Sequence, residues 1–192
     1  MSGKTHCWFA ALALVLSVIR PVRAELTDTE VRAAIKRGKT FLGREQKSDG
    51  RWADHSIYIG GVTSLATLAL LNSGEPVDSP QIQKAINFLR GLGEPSTVYA
   101  TSLQTMVLCA AEPEKDARII GRNVRWLEAI QLHGGKRKGA WSYGGKGSGD
   151  NSNTQFALLA LHEAHRVGIE VKRETWELAL DYWLKNQRDN GS

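Results

Sequence analysis

His162 and His165 are the two residues whose types and spacing come closest to a metal site. Both lie in a predicted helix, where residues three apart share one face. Zinc proteases use the motif H-E-x-x-H, in which the histidines are four residues apart, so this pair does not match. We expect both side chains to be solvated near a helix C-terminus, where positive charge is favourable. The sequence predicts no metal site and no cofactor.

Residues 136–150 form a stretch rich in glycine and basic residues, with two aromatic residues among them. A phosphate-binding loop that ends in Lys146 would need glycines at positions 140 and 145, and position 140 is Ala140. We therefore expect a loop between helices that positions Trp141. The alternative is a contact with an anionic ligand or a polyanion, since basic and aromatic residues alternate there.

Hydroxyl side chains occur in several apolar segments, Thr101 and Thr105 among them. A serine or threonine nucleophile needs an adjacent base to activate it. No histidine and aspartate accompany these residues at a recognisable spacing. The sequence therefore predicts no catalytic residue.

The first 24 residues have the three parts of a secretory signal peptide. Lys4 gives a positive start, residues 7–19 form an apolar run broken only by Ser17, and a small-x-small cleavage site ends at Ala24. The run is too short to span a bilayer. The sequence thus predicts a secreted or periplasmic protein, with a retained N-terminal anchor as the alternative. Cleavage leaves 22 basic and 20 acidic residues, so the net charge falls from +5 to +2 and no nucleic-acid partner is expected.

Two kinds of helical segment alternate along the rest of the chain, whose 42% hydrophobic content is typical of a globular protein. Four amphipathic segments end in an aromatic–apolar pair, at residues 31–42, 82–89, 119–127 and 176–183. Three further segments, residues 63–71, 101–109 and 154–162, align without a gap and are apolar nearly all round. A helix that is hydrophobic on every side is buried, whereas an amphipathic helix faces solvent on one side. We predict an all-α fold of helical hairpins with an inner and an outer layer.

Several residues mark the ends of these helices. Ser152 and Gln155 have the spacing of a capping box at the start of the third inner helix. Gly74 and Gly168 are expected to end the first and third inner helices. Pro80 is expected in the loop before the second outer helix, where its missing N–H is harmless.

A glutamine–glycine–tryptophan motif follows the outer helices. Its residues are Gln46, Gly50 and Trp52, then Gln131, Gly139 and Trp141, and finally Gln187 and Gly191. The glutamine amide can satisfy backbone groups at a helix end, and the glycine permits a turn that is closed to other residues. The indole can cover the contact between neighbouring hairpins. In the second repeat, Leu92 and Gly93 stand where the glutamine is expected and Tyr99 where the tryptophan is expected.

The motif, the aromatic–leucine helix ends and the Ala/Leu-rich inner helices resemble the repeats of squalene–hopene cyclases and protein prenyltransferase β-subunits. This resemblance covers nearly all of residues 31–192 and implies an α/α toroid, in which the inner helices line a central cavity. It also implies that residues at the start of the inner helices face the cavity mouth. The candidate cavity- or ligand-facing residues are Tyr99, Tyr143, Asp150 and Asn153. The residue types themselves favour helix capping for Asp150 and Asn153 and hairpin packing for Tyr99, with the ligand-facing role as the alternative.

The active sites of these relatives do not carry over to this chain. The cyclases use an Asp-x-Asp-Asp acid motif, whereas the aspartates here are isolated. The prenyltransferases hold zinc through Asp, Cys and His, and Cys109 has no matching aspartate. Residues 25–192 would supply about three and a half hairpins, so we expect a partial ring that belongs to a longer protein.

The expected function is that of an exported, non-catalytic repeat module that binds a protein or a hydrophobic, isoprenoid-like ligand. No membrane span is expected in the mature chain, and self-association is expected because a partial ring exposes apolar edges. The alternative is a terpene cyclase or prenyltransferase-like enzyme domain that is active only in a longer chain.

Overall fold

The computed structural model describes residues 26–54, 57–144 and 147–191, and the predicted signal peptide lies outside this part of the chain. The described residues form helices and no strand, as predicted; Trp141 and Asp150 make one isolated antiparallel bridge. The helices are α1 (Asp28–Glu45), α2 (Gly61–Asn72), α3 (Pro80–Arg90), α4 (Val98–Ala111), α5 (Pro113–Ala129), α6 (Asn151–Arg166) and α7 (Arg173–Asn186). None of these helices has the length and hydropathy that a bilayer-spanning helix needs.

The described residues divide into two units, with the boundary between Ala34 and Ile35. In the first unit, Thr27 and Glu30 form a capping box at the start of α1. The backbone amide of Glu30 donates to Thr27 Oγ1 over 3.2 Å, and the amide of Thr27 donates to Glu30 Oε2 over 2.9 Å. The backbone and side-chain hydrogen bonds from Thr27 lower the pKa of Glu30.

In the second unit, α2, α4 and α6 correspond to the three predicted inner helices and pack side by side, with α4 between the other two. Their alignment has a direct structural counterpart, because Leu70, Leu108 and Leu161 stand at the same position and all are fully buried. Burying a leucine side chain contributes about 2 kcal/mol to folding. These three apolar helices therefore form the centre of the hydrophobic core.

The amphipathic helices α3 and α5 pack their apolar faces on these central helices. On α3 the buried face carries Ile82 and Ile86, and on α5 it carries Ile120 and Val124. Each of the two helices contacts both the apolar helix before it and the one after it. The hairpins therefore share one continuous core.

Ion pairs join α3 and α5 at the edge of this core. Arg90 donates to both carboxylate oxygens of Asp116, over 2.7 and 2.8 Å, and to Glu112 over 2.7 Å. Asp116 is only 2% exposed, so this carboxylate depends on Arg90 for its compensation. Hydrogen bonding to Asp116, more than any other contact, raises the pKa of Arg90.

The observed helix ends match the sequence prediction at two glycines and differ from it at two other positions. Gly74 and Gly168 have φ values of 80° and 89° and follow the C-caps of α2 and α6, as predicted. Pro80 is not in the loop but is the first residue of α3. The predicted capping box at Ser152 is wrong, because Asp150 is the N-cap of α6 and its side chain accepts the Asn153 amide. Ser152 already lies inside the helix.

Candidate functional site

Trp52 and Trp141 make the same pair of hydrogen bonds in two different loops. The backbone amide of Trp52 donates to Thr63 Oγ1 over 3.1 Å, and its indole Nε1 donates to the Leu42 carbonyl over 2.9 Å. The backbone amide of Trp141 donates to Thr154 Oγ1 over 3.1 Å, and its Nε1 donates to the Leu127 carbonyl over 2.7 Å. Each indole thus joins the end of one amphipathic helix to the start of the next apolar helix.

Gln46 and Gln131 each connect their own loop to the following amphipathic helix. Gln46 Nε2 donates to the carbonyls of Gly50 and Gln81, both over 2.9 Å. Gln131 Nε2 donates to the carbonyls of Gly139 and Thr175, both over 3.0 Å. We call each set of three residues a clamp: Gln46, Gly50 and Trp52 in the α1–α2 loop, and Gln131, Gly139 and Trp141 in the α5–α6 loop.

Glycine is required in both clamps for two separate reasons. Gly50 and Gly139 have φ values of 91° and 92°, in the left-handed region that other residues rarely adopt. A Cβ on Gly50 would also lie 2.2 Å from the carbonyl oxygen of Lys84 on α3. Beyond α7, Gln187 Nε2 donates to the Gly191 carbonyl over 3.1 Å, and Gly191 again has a positive φ, of 84°.

The α3–α4 loop contains no clamp, and a different side chain takes over the indole's hydrogen bond. Gln104 Nε2 donates to the Leu89 carbonyl over 2.7 Å. Leu89 directly follows the aromatic residue near the end of its helix, as Leu42 and Leu127 do in theirs. Asn123 Nδ2 donates to Gln104 Oε1 over 2.9 Å and to Thr105 Oγ1 over 3.1 Å. Gln104, Thr105 and Asn123 are all buried.

This network was missed in the sequence. The only available signal was a glutamine inside an apolar helix, at a repeat where the tryptophan is missing. The structure also places Tyr99 elsewhere than expected, because Tyr99 is the second residue of α4 and makes neither of the tryptophan hydrogen bonds. Its hydroxyl donates instead to Ser152 Oγ over 2.6 Å.

Three tyrosines come together where α2, α4 and α6 begin. The ring centroids of Tyr99 and Tyr143 are 5.7 Å apart, and those of Tyr58 and Tyr143 are 6.4 Å apart. Phe156 extends this group, with its ring centroid 4.9 Å from that of Tyr99. We call Tyr58, Tyr99 and Tyr143 the tyrosine cluster. Tyr143 is its most accessible member, at 53% exposure.

Polar groups of the first turn of α6 adjoin the tyrosine cluster. The Tyr99 hydroxyl donates to Ser152 Oγ, which donates to Asp150 Oδ1 over 2.8 Å. The backbone amide and Nδ2 of Asn153 also donate to Asp150, each over 2.8 Å. All four predicted ligand-facing residues therefore lie in one region, where Asp150 and Asn153 also cap the helix.

The electrostatics of this region favour positive charge. Burial raises the pKa of Asp150, but hydrogen bonds from Asn153 and Ser152 outweigh that effect and leave the pKa below its usual value. The pKa of Tyr143 is raised, first by the nearby Tyr99 and then by desolvation, Asp150 and Tyr58. A neutral Tyr143 ring beside an ionised carboxylate can attract a cation through its π face.

A second carboxylate stands at the start of α2. Asp54 accepts the backbone amides of Gly60 and Val62, each over 2.9 Å. The positive ends of α2 and α6 therefore already have acidic partners. Unlike these two, α4 begins with the amide of Val98 donating to the Tyr143 carbonyl over 3.0 Å, which fixes the backbone of Tyr143.

The remaining predicted candidates lie apart from the tyrosine cluster. His162 and His165 are both exposed, and the described residues contain no group of three or more potential metal ligands. Arg137, in the basic loop, donates to the Tyr182 hydroxyl over 2.9 Å, and its guanidinium lies 6.0 Å from the centre of that ring. Cys109 is buried, and burial raises the pKa of its thiol to about 12.

An open apolar groove of about 520 Å³ runs between α6 and α7. Its lining includes Leu158, Leu159, Trp176, Leu180 and Trp183. Leu180 is 59% exposed, whereas Ile86 and Val124, at the same position relative to the aromatic helix ends of α3 and α5, are buried. The groove therefore exposes an apolar position on α7 that α3 and α5 bury.

Protein-family models, curated proteins and solved structures were compared with the chain, and none matches it. The resemblance to the cyclase and prenyltransferase repeats therefore depends on the motifs in the sequence alone.

Proposed function

We propose that this chain is an exported, non-catalytic α/α repeat module that binds a protein partner through the tyrosine cluster. The single observation that carries the proposal is the contact of the exposed Tyr143 ring with the tilted rings of Tyr58 and Tyr99, beside the carboxylate of Asp150. Tyrosine is enriched at the centres of protein interfaces, where its ring buries a large area and its hydroxyl finds a polar partner.

The partner contributes a cationic side chain to this cluster. The face of an exposed aromatic ring attracts a guanidinium or ammonium group, and the carboxylate of Asp150 adds to that attraction. Asp54 and Asp150 repel an anion from the starts of α2 and α6. This charge distribution disfavours the polyanion alternative at the tyrosine cluster.

We infer in addition that the hairpins belong to an α/α toroid. Support comes from the side-by-side packing of α2, α4 and α6 and from the matching hydrogen bonds of the two clamps. The proposal of export depends on the sequence pattern of residues 1–24.

The cationic partner is tested with two small probes that differ in charge but share a shape. N-acetyl-arginine amide is titrated into the protein, N-acetyl-citrulline amide serves as the neutral control, and the tyrosine ring signals are followed by NMR. We expect the arginine probe to bind about threefold more tightly, since an exposed cation–π contact is worth about 0.5–1 kcal/mol. The preference should disappear in Tyr143→Leu and remain in Tyr143→Phe. Equal binding of the two probes would refute the proposal.

The groove between α6 and α7 supports a second candidate function, the binding of a hydrophobic, isoprenoid-like ligand. Trp176 and Trp183 line the groove, so farnesol bound there should change the tryptophan fluorescence. The change should be lost in Leu180→Asp and retained in Leu26→Asp, a variant of an exposed leucine outside the groove. A response that is the same in both variants would exclude the groove as the site. Turnover of such a ligand would instead favour the alternative of a cyclase-like enzyme domain.

A further inference from the structure

A small pocket lies beside the α3–α4 loop, the loop that lacks a clamp. Its volume is about 180 Å³. Its lining includes the apolar residues Ile59, Leu92, Pro95 and Ala100 and the polar residues Glu94, Ser96, Thr101 and Gln104. This lining combines a small apolar wall with two buried polar side chains, as in sites that orient a ligand.

Thr101 relates this pocket to the tryptophan positions of the two clamps. In the alignment of the three apolar helices, Thr101 is equivalent to Thr63 and Thr154. The hydroxyls of Thr63 and Thr154 accept the backbone amides of Trp52 and Trp141. The Thr101 hydroxyl has no hydrogen-bond partner within residues 26–54, 57–144 and 147–191, although Thr101 is only 3% exposed. Its oxygen is not among the fully enclosed unpartnered polar atoms of the described residues, so it reaches the pocket and lacks the donor that its two counterparts have.

Gln104 makes the second of the two hydrogen bonds that a tryptophan makes in each clamp. Its amide nitrogen donates to the Leu89 carbonyl, the bond that an indole makes in each clamp. Its amide oxygen accepts from Asn123, so both ends of the Gln104 side chain are engaged. The pocket adjoins both Gln104 and Thr101, and of these two side chains only the Thr101 hydroxyl is free to accept a hydrogen bond from a ligand.

We propose that the pocket beside the α3–α4 loop binds a small aromatic N–H donor of the size of indole. The flat ring packs between Leu92, Pro95 and Ala100, and its N–H donates to Thr101 Oγ1. A pocket of about 180 Å³ is smaller than the roughly 300–1,000 Å³ of sites for larger ligands, which restricts the ligand to one or two fused rings.

The test compares two fluorinated probes that share a shape and differ in one hydrogen bond. 5-Fluoroindole has the N–H donor, and 5-fluorobenzothiophene replaces that group with sulfur. Titrations of the full chain are followed by ¹⁹F NMR. We expect 5-fluoroindole to bind about fivefold more tightly, the weight of one neutral hydrogen bond. The proposal is overturned if 5-fluoroindole does not bind, or if both probes bind with equal affinity. This test needs only the wild-type protein.

Two threonine variants then locate the contact. Thr101→Val removes the hydroxyl that faces the pocket and should bring the affinities of the two probes to the same value. Thr67→Val removes a buried hydroxyl on α2 that donates to the Thr63 carbonyl and does not line the pocket. The preference for 5-fluoroindole should survive in this control. A preference that survives Thr101→Val would place the probe elsewhere and contradict the assignment.

Discussion

Gly139 lies against the backbone of α7, so close that a Cβ on it would be 1.9 Å from the carbonyl oxygen of Leu178. The same glycine has a φ of 92°. Steric exclusion and backbone conformation therefore demand glycine at one position, and the contact holds the α5–α6 loop against the next helix.

Gly139→Ala should lower the free energy of unfolding by about 3 kcal/mol or more, because the strain of a left-handed alanine adds to displacement of α7. Gly135→Ala is a matched control, since Gly135 also has a positive φ, of 74°, but nothing lies within 4 Å of its Cβ position. The control should cost only about 1 kcal/mol. Urea denaturation measures both values, and equal losses would show that the close approach is unimportant.

Arg90→Met should destabilise the protein by about 3 kcal/mol, since it leaves the buried carboxylate of Asp116 without its cation. Arg32→Met removes an ion pair with Asp28 in which both side chains are 76% exposed, and such pairs are worth about 0.5 kcal/mol. Thermal unfolding followed by circular dichroism separates the two effects. If Arg90→Met destabilised the protein no more than Arg32→Met does, a group other than Arg90 would have to compensate the charge of Asp116.

Asp150→Asn should weaken the fold at neutral pH by about 1 kcal/mol or less, because asparagine is itself a good N-cap but lacks the charge. The folded-state pKa of Asp150 is lowered, so its contribution is complete above the ordinary aspartate pKa of about 4. This contribution is lost as the pH falls through the lower folded-state value. The stability difference between wild type and variant should therefore shrink in acid. A difference that grows as the pH falls would mean that the pKa shift has the opposite sign.

Cys109 should resist alkylation in the native protein, because burial raises the pKa of its thiol to about 12 and leaves almost no thiolate near pH 8. In a Cys7→Ser variant, iodoacetamide should label Cys109 about a hundredfold or more slowly than it labels the urea-unfolded chain. Mass spectrometry follows the label. Rapid labelling without denaturant would show that α4 opens readily.

The helices were predictable because burial leaves a clear pattern in the sequence. Leu70, Leu108 and Leu161 align without a gap, and each is fully buried. A helix that is apolar on every face is buried, so its place in the central layer follows from its composition alone. The start of α6 was harder to locate, since Asp150 and Ser152 are both good capping residues two positions apart.

The polar contacts between helices were less accessible to sequence reasoning. Gln104 and Asn123 are 19 residues apart, and neither belongs to a recurring motif. Their pairing depends on how α4 and α5 pack, which no local pattern encodes. Tyr58 was missed for the same reason, because only the fold brings the residues before α2 next to Tyr143.

Gln46 and Gln131 bond exclusively to carbonyl oxygens of the main chain, in their own loops and in α3 and α7. A carbonyl oxygen is the same in every residue type. Mutations on the solvent-facing sides of α3 and α7 therefore leave this attachment unchanged. An engineer could vary those exposed surfaces widely and keep the loops fastened in place.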